Sequence, residues 1–146
     1  MPPYEITCDK TRLDVAAIHD FLTQSYWSPG IPRDVVERAI ENSLCFGVLH
    51  EGKQIGFARA ITDKATFAYL ADVYVLPAHR GKGVSLRLMQ YIVQHSDLRG
   101  LRRMLLATRD AHSLYEKFGF KPLAAPDRIM EVHNPDVYGR PPQSAP

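Results

Sequence analysis

Residues 75–93 read VLPAHRGKGVSLRLMQYIV. An apolar run stops at Pro77, and cations then alternate with glycines at Arg80, Gly81, Lys82 and Gly83. Helical spacing of apolar residues begins at Val84. A strand, a glycine-rich turn and a helix start, in that order, point to an anion site. Glycine lets the backbone approach an anion and adopt φ > 0. Successive N–H groups can face the anion as a nest, and the helix start adds unsatisfied donors and the positive end of its dipole. Arg80, Lys82 and Arg87 add formal charge. Two phosphate loops fail on specific residues: no Gly-Lys-Ser/Thr occurs for a P-loop, and Leu86 breaks GxGxxG. The plain alternative is a glycine-rich turn whose cations are merely solvated.

Upstream of the turn, TFAYLADVYVL at 66–76 is a long strand rich in aromatic and β-branched residues. Before it, LCFGVLHEGKQIGFARAITD at 44–63 splits into two strands at Glu51-Gly52-Lys53, a hairpin signal. Earlier still come a strand at 4–8 and a helix carrying Val15, Ile18 and Leu22, capped by Asp14. SPGIP breaks the chain, and a second helix carries Val36, Ala39 and Ile40. Downstream of the turn, Val84, Leu88, Tyr91 and Ile92 form one helical stripe. Leu86, Met89 and Val93 form another, so that helix is expected to be covered on two sides. RRMLLATR at 102–109 is a short strand. Asp110 suits the N-cap of the helix AHSLYEKF, and Gly119 its C′ position with Phe120 packing back. A final strand is expected at 128–133.

The order β-α-α-β-β-β-α-β-α-β makes strands two to four an antiparallel meander. The next step is a right-handed parallel crossover. The expected fold is therefore α/β, an α+β mixed sheet that is mostly antiparallel, with a central parallel pair and about four helices. One domain is expected over 4–133. A disordered tail is expected over 134–146, where apolar content is low.

The chain has 146 residues and a formal charge of +2, too small for general nucleic-acid binding. Its two cysteines, Cys8 and Cys45, sit in apolar stretches and form no CxxC or Cys/His cluster, so no metal is expected. The start, MPPYEITCDK, lacks the apolar core of a signal peptide, and no window is apolar enough for a membrane span. These readings lead to an expectation of a cytoplasmic protein with free thiols.

DVYVLPAHRGKGVSLRLM resembles motif A of the GNAT superfamily of N-acetyltransferases, whose core is Q/R-x-x-G-x-G/A, and LYEKFGF resembles its motif B. The two occur in the expected order, and the element order matches that superfamily from about residue 4 to 133. SYWSPGIP and TRDAHSLYEKFGF resemble a subgroup of small bacterial members. The resemblance implies that acetyl-CoA lies between two parallel strands that splay apart, those ending near Val75 and Thr108. It assigns the pantetheine arm to the backbone of Val73, Tyr74 and Val75. It assigns the pyrophosphate to Arg80, Gly81, Lys82, Gly83, Val84 and Ser85. Ser85 departs from the usual Gly or Ala, and Thr108 stands where many members carry a cofactor-contacting Asn. The resemblance also makes Tyr115 the acid that protonates the leaving thiolate. The first helical pair, with Tyr26, Trp27 and Arg33, becomes the wall of the acceptor pocket.

The chemistry sets its own demands. An alkyl amine of pKa ~10.4 is only about a thousandth neutral at neutral pH, so its proton must leave before attack. Asp72, an acid in an otherwise apolar strand just before the cofactor segment, is the candidate base. By alternation it shares a face with Leu70 and Tyr74. His112, on the helical side of Tyr115, is a further candidate. Arg59 and Asp63, near the end of a meander strand, are weaker candidates for the acceptor pocket. The expected activity is acetyl-CoA-dependent acetyl transfer to a primary amine in a ternary complex. The acceptor is a small molecule or a peptide amine. The alternatives are a non-catalytic acyl-CoA sensor, a protein amine acetyltransferase, and nucleic-acid binding through Arg99, Arg102 and Arg103. Neither nucleic acid nor a membrane is an expected partner; a homodimer is admitted.

Overall fold

The computed structural model describes residues 3–139. Its elements are β1 (Tyr4–Thr7), α1 (Val15–Leu22), α2 (Arg33–Glu41), β2 (Leu44–His50), β3 (Lys53–Thr62), β4 (Phe67–Val75), α3 (Val84–Gln94), β5 (Arg103–Leu106) and α4 (His112–Glu116). They form one five-stranded sheet in the order β1-β2-β3-β4-β5. The first four strands are antiparallel, and β4 and β5 are parallel. This is the mixed sheet and helix number expected from the sequence.

Local chemistry explains the element ends. The β2–β3 hairpin pairs His50 with Lys53 across a two-residue turn, with Glu51 at φ 52° and Gly52 at φ 78°. Two consecutive positive φ values match the right-handed strand twist. Asp14 caps α1 by accepting from the Ala17 N–H at 3.0 Å. α1 stops at Leu22 because the Ser25 hydroxyl donates back to the Leu22 carbonyl and the Gly30 N–H to Thr23. At the end of α4, the Phe120 N–H reaches the Tyr115 carbonyl and the Gly119 N–H reaches Glu116. Gly119 has φ 92°. These are the two bonds of a Schellman ending with glycine at C′, and Phe120 packs edge-on to Tyr115.

Helices cover both sheet faces. On one, Leu88, Met89 and Ile92 of α3 and Tyr115 of α4 pack on Phe46, Val48, Ala58, Ala60 and Leu70. On the other, Ile18 and Leu22 of α1 and Val36 and Ile40 of α2 pack on Cys45, Phe57 and Tyr74. Leu70 and Tyr74 thus lie in opposite cores, although strict alternation would place them together. The register explains it: Phe57 pairs with Tyr74 but Arg59 pairs with Ala71, so β4 carries one extra residue. Asp72 sits in that bulge at φ 56°, a left-handed conformation that Asp tolerates better than most residues. Bulges bend the strand that carries them. Accordingly β4 pairs with β5 only from Phe67 to Leu70, and the two strands separate beyond. A bulge in a single strand thereby opens the sheet at the end of β4.

Three expectations fail. The strand expected at 128–133 does not form: a 3-10 turn at Pro126–Arg128 leads into irregular chain in which Met130 is 92% and Val132 106% exposed. Apolar alternation alone does not make a strand without a neighbouring edge to pair with. α3 is not covered on two sides; Val84, Leu88, Met89 and Ile92 are buried while Leu86 and Tyr91 stand in solvent. Asp110 does not cap α4: the N-cap position is Ala111, without a side-chain cap, and the Thr108 hydroxyl accepts from the Ala111 N–H in the turn before it. Of the segment expected to be disordered, Tyr138 packs on the α1–α2 core, and 140–146 lie outside the described residues.

Candidate active site

The separation of β4 from β5 creates a cleft of about 760 Å³. Val73, Tyr74 and Val75 of β4 line one wall, Tyr115 of α4 another, and Arg80 and Ser85 one end. A second cavity of about 500 Å³ adjoins it through Tyr26, Trp27 and Tyr115. Asp72, Arg59, Tyr69 and Thr108 line that cavity.

The turn has the features of an anion cradle. Gly81 and Gly83 have φ 76° and 77°. A Cβ built on either would meet no atom within 4 Å, so the hollow beside them is open. Gly83 is the N-cap of the eleven-residue α3 and has no side-chain cap. None of the N–H groups of residues 81–85 donates to another group among the described residues. Exposed donors at a helix start, flanked by left-handed glycines, fit a phosphate group. Arg80 donates from Nε to the Val75 carbonyl at 2.8 Å, which fixes its guanidinium at the junction of β4 and the turn. Arg87, expected to add free charge, is instead tied to the Tyr4 carbonyl through one nitrogen at 3.0 Å. Lys82 is exposed.

Asp72 is held on both oxygens. Arg59 Nε donates to Oδ2 at 2.8 Å and Trp27 Nε1 to Oδ1 at 2.9 Å. The ion pair is largely buried, with side-chain exposures of 17% for Arg59 and 8% for Asp72. Arg59 also donates to the Ser43 hydroxyl at 3.2 Å. Through these bonds Asp72 ties the Tyr26–Trp27 loop to the β4 bulge.

Tyr115 is buried, and its hydroxyl has no hydrogen-bond partner among the described residues. Burial, and then the nearby Tyr26, push its phenol above the ordinary value. Burial does the same to Tyr74, whose ring stacks on Phe21 at 3.8 Å. The Thr108 oxygen accepts from the Ala111 N–H, which shapes the turn into α4.

The structure therefore brings together Val73, Tyr74, Val75, Arg80, Ser85, Tyr115, Tyr26, Trp27, Asp72 and Thr108. It does not bring in Arg33, which is exposed on α2, pairs with Glu37 at 3.5 Å and lines none of these cavities. It is the first residue of α2, at the exposed start of the helix. Asp63 accepts from Thr66, Ala65 and Phe67 in the β3–β4 turn and is a turn residue. Arg99 donates to the Gln94 carbonyl. Arg103 pairs with Phe67 at the start of β4, the end opposite the glycine turn. Two residues escaped the sequence reading. Tyr69 lines the second cavity. Arg109 lines both, and its guanidinium lies 3.9 Å from the Tyr26 ring centre. A loop arginine after a short strand gives no sequence signal for either role. No cluster of metal-ligating side chains occurs among the described residues, and no described helix is long and apolar enough to cross a membrane.

Comparison with known proteins agrees with this arrangement. The Acetyltransferase (GNAT) family model matches residues 13–120. A candidate acetyltransferase of Gibberella zeae is 33% identical over 137 residues, covering 78% of this chain and 76% of that protein. A crystal structure from Xanthomonas campestris, assigned to the GNAT family, is 49% identical and covers 96% of this chain and 99% of its own, with a TM-score of 0.93. A Clostridium acetobutylicum protein, solved with acetyl-CoA and described as a predicted acetyltransferase, shares the fold at a TM-score of 0.65 and 17% identity, covering 91% of this chain and 96% of its own. The chain belongs to the GNAT family of acetyltransferases and is an acyltransferase.

Proposed function

We propose that this protein transfers the acetyl group of acetyl-CoA directly to a primary amine of a small molecule, within a ternary complex. The observation that carries the proposal is the continuity of one cleft. It joins the unpaired stretch of β4, the ends of the glycine turn at Arg80 and Ser85, and Tyr115, whose hydroxyl is unpartnered among the described residues.

Acetyl-CoA supplies the activated acyl carbon and a thiolate leaving group. The N–H groups of residues 81–85, with Arg80, hold its pyrophosphate, and the backbone of Val73, Tyr74 and Val75 holds the pantetheine arm. The second cavity takes the acceptor. Tyr26, Trp27 and Tyr69 give it aromatic walls, a surface suited to an amine that enters as a cation. The amine must lose that proton before it attacks. Since Asp72 is already paired, the proton leaves toward solvent past Asp110 and Arg109, both exposed at the rim. Tyr115 Oη gives a proton to the departing sulfur. In water, proton transfer from a phenol of ~10 to a thiolate of ~8.5 is uphill by roughly 2 kcal/mol. Burial that raises the phenol raises the thiolate's proton affinity in the same direction, so the gap does not widen in the dry cleft. Neither thiol lines the cleft or the second cavity, and Cys45 is buried in the α1–α2 core.

The test is thiol release from acetyl-CoA over a panel of small amines and lysine peptides. The expected result is turnover with a subset of small amines, lost in Tyr115→Phe with acetyl-CoA still bound. Turnover confined to peptides would reassign the acceptor. Binding of acetyl-CoA without turnover on any amine would leave a sensor.

A further inference from the structure

Arg109 stands where the two cavities meet. It lines both, in company with Tyr26, Trp27, Val73 and Tyr115. Its guanidinium lies 3.9 Å from the centre of the Tyr26 ring. Tyr26 in turn meets Trp27 edge-on at 5.0 Å, and Trp27 is bonded through Nε1 to Asp72. The cation is therefore carried on a stack anchored at the β4 bulge. A guanidinium that stacks by its face keeps the N–H groups of its edge for other partners. Asp110 is its charged neighbour, at 3.9 Å, too far for a hydrogen bond. Among the described residues it has no partner besides Tyr26 and Asp110.

Among the described residues, the charges of the acceptor cavity leave this cation open to a ligand. Arg59, Asp72, Arg109 and Asp110 line that cavity. Arg59 and Asp72 cancel each other in a pair that is largely buried, and both oxygens of Asp72 are taken. Asp110 is 74% exposed, so water screens it. A second ammonium group on the acceptor would meet a guanidinium, with no free carboxylate inside the walls to offset it. A carboxylate would meet a planar, prepositioned fork of donors, the group that such a fork matches best. Arg109 is 65% exposed in the open site; a ligand that fills the junction removes that water and strengthens the contact.

Position then sets the spacing. The acceptor amine must reach the thioester at the same junction, beside Tyr115 and Val73, which line both cavities. Arg109 is at that junction too, so amine and carboxylate must lie close together on the acceptor. We propose that the acceptor is an α-amino acid, in which both groups share one carbon, and that Arg109 receives its carboxylate. This substrate class rests on the acetyl-transfer reading. The amino-acid side chain extends toward Trp27 and Tyr69, the aromatic part of the second cavity. In the reaction the nitrogen bonds the acetyl carbon and the carbon–sulfur bond breaks. Two protons leave the ammonium nitrogen; the sulfur takes one and solvent the other, giving an N-acetyl amino acid and CoA. A guanidinium close to the amine also favours its neutral form, which is the form that attacks.

The test compares thiol release from acetyl-CoA across the α-amino acids, each beside its methyl ester and its decarboxylated amine. For the best amino acid kcat/KM should exceed that of both analogues by more than about 30-fold. In Arg109→Gln that preference should fall to within about threefold, mainly through KM, and Arg109→Lys should keep part of it. A residue that only packs on Tyr26 would slow acid, ester and amine alike. Esters or plain amines that turn over as well as the amino acids overturn the proposal, and so does a preference unmoved in Arg109→Gln. If no compound of any series releases thiol, the acetyl-transfer reading fails, and the emission of Trp27, the single tryptophan, decides on the carboxylate site. With CoA bound, amino acids should change that emission saturably at concentrations about 30-fold below those the esters require, and Arg109→Gln should abolish the difference. No such difference overturns the carboxylate site as well.

Discussion

Asp72→Asn separates the two roles open to this carboxylate. The substitution keeps the size of the side chain, its tolerance of φ 56° and an oxygen for Trp27, and it removes the charge that faces Arg59. It also turns an amide N–H or a neutral oxygen toward a guanidinium that is 17% exposed. Breaking a buried ion pair from one side costs about 3–5 kcal/mol. Arg59 keeps its bond to Ser43 and some solvent contact, so the lower end applies, about 3 kcal/mol, or roughly 10 °C in Tm for a chain this long. Urea unfolding at 25 °C, followed by circular dichroism and by the single tryptophan, measures it. Adding Arg59→Met should recover part of the loss, with a coupling of about 1–2 kcal/mol in a double-mutant cycle. Because Asp72 is not the base in this account, kcat should fall less than about tenfold. A loss below about 0.5 kcal/mol together with a thousandfold fall in kcat would refute the positioning role and return the base to Asp72.

Tyr115→Phe should lower kcat by about 10²-fold or more with little change in acetyl-CoA affinity, since it removes one proton donor and no binding surface. Because burial raises the Tyr115 phenol, the acid form persists to higher pH than for a free tyrosine. The wild-type kcat profile should show no loss from this group below about pH 10; an alkaline limb near pH 8 that vanishes in Tyr115→Phe would contradict it. Burial pushes the Cys45 thiol from 9.0 up to about 11. The folded state then holds a proton that the unfolded chain releases, so this contribution is intact below pH 9 and declines as pH rises toward 11. Urea stability should drop by roughly 2–3 kcal/mol across that window, and Cys45→Ala, less stable at neutral pH, should show a flatter profile.

Much of the architecture was legible because it rests on local signals. The Glu51-Gly52 turn, the Asp14 cap and the Gly119 ending each need a residue type at a fixed place, and each formed as read. The glycine turn was legible for the same reason. What escaped depends on tertiary placement. The bulge at Asp72 breaks the alternation of β4, and no residue type announces it, since Asp in a strand also suits an exposed position. Once the bulge is present, Arg59 meets Asp72 from the neighbouring strand and pairs with it. Arg33 was assigned to a pocket wall by resemblance, through its place in the first helical pair. It instead stands exposed at the start of α2 and pairs with Glu37. Residues 129–133 have a strand's composition, but pairing requires a partner edge that lies outside any local window.

The central claim is that the turn at 81–85 holds the pyrophosphate of acetyl-CoA. Isothermal titration of acetyl-CoA into wild type and Gly83→Glu tests it most directly. The substitution forces a side chain onto φ 77° and sets a carboxylate among the N–H groups meant for phosphate. Asp63, far off in the β3–β4 turn, supplies a control in Asp63→Asn, which should bind normally. The account predicts that Gly83→Glu weakens binding by more than about 100-fold, with the circular dichroism spectrum retained. Normal binding by that variant would place the cofactor elsewhere.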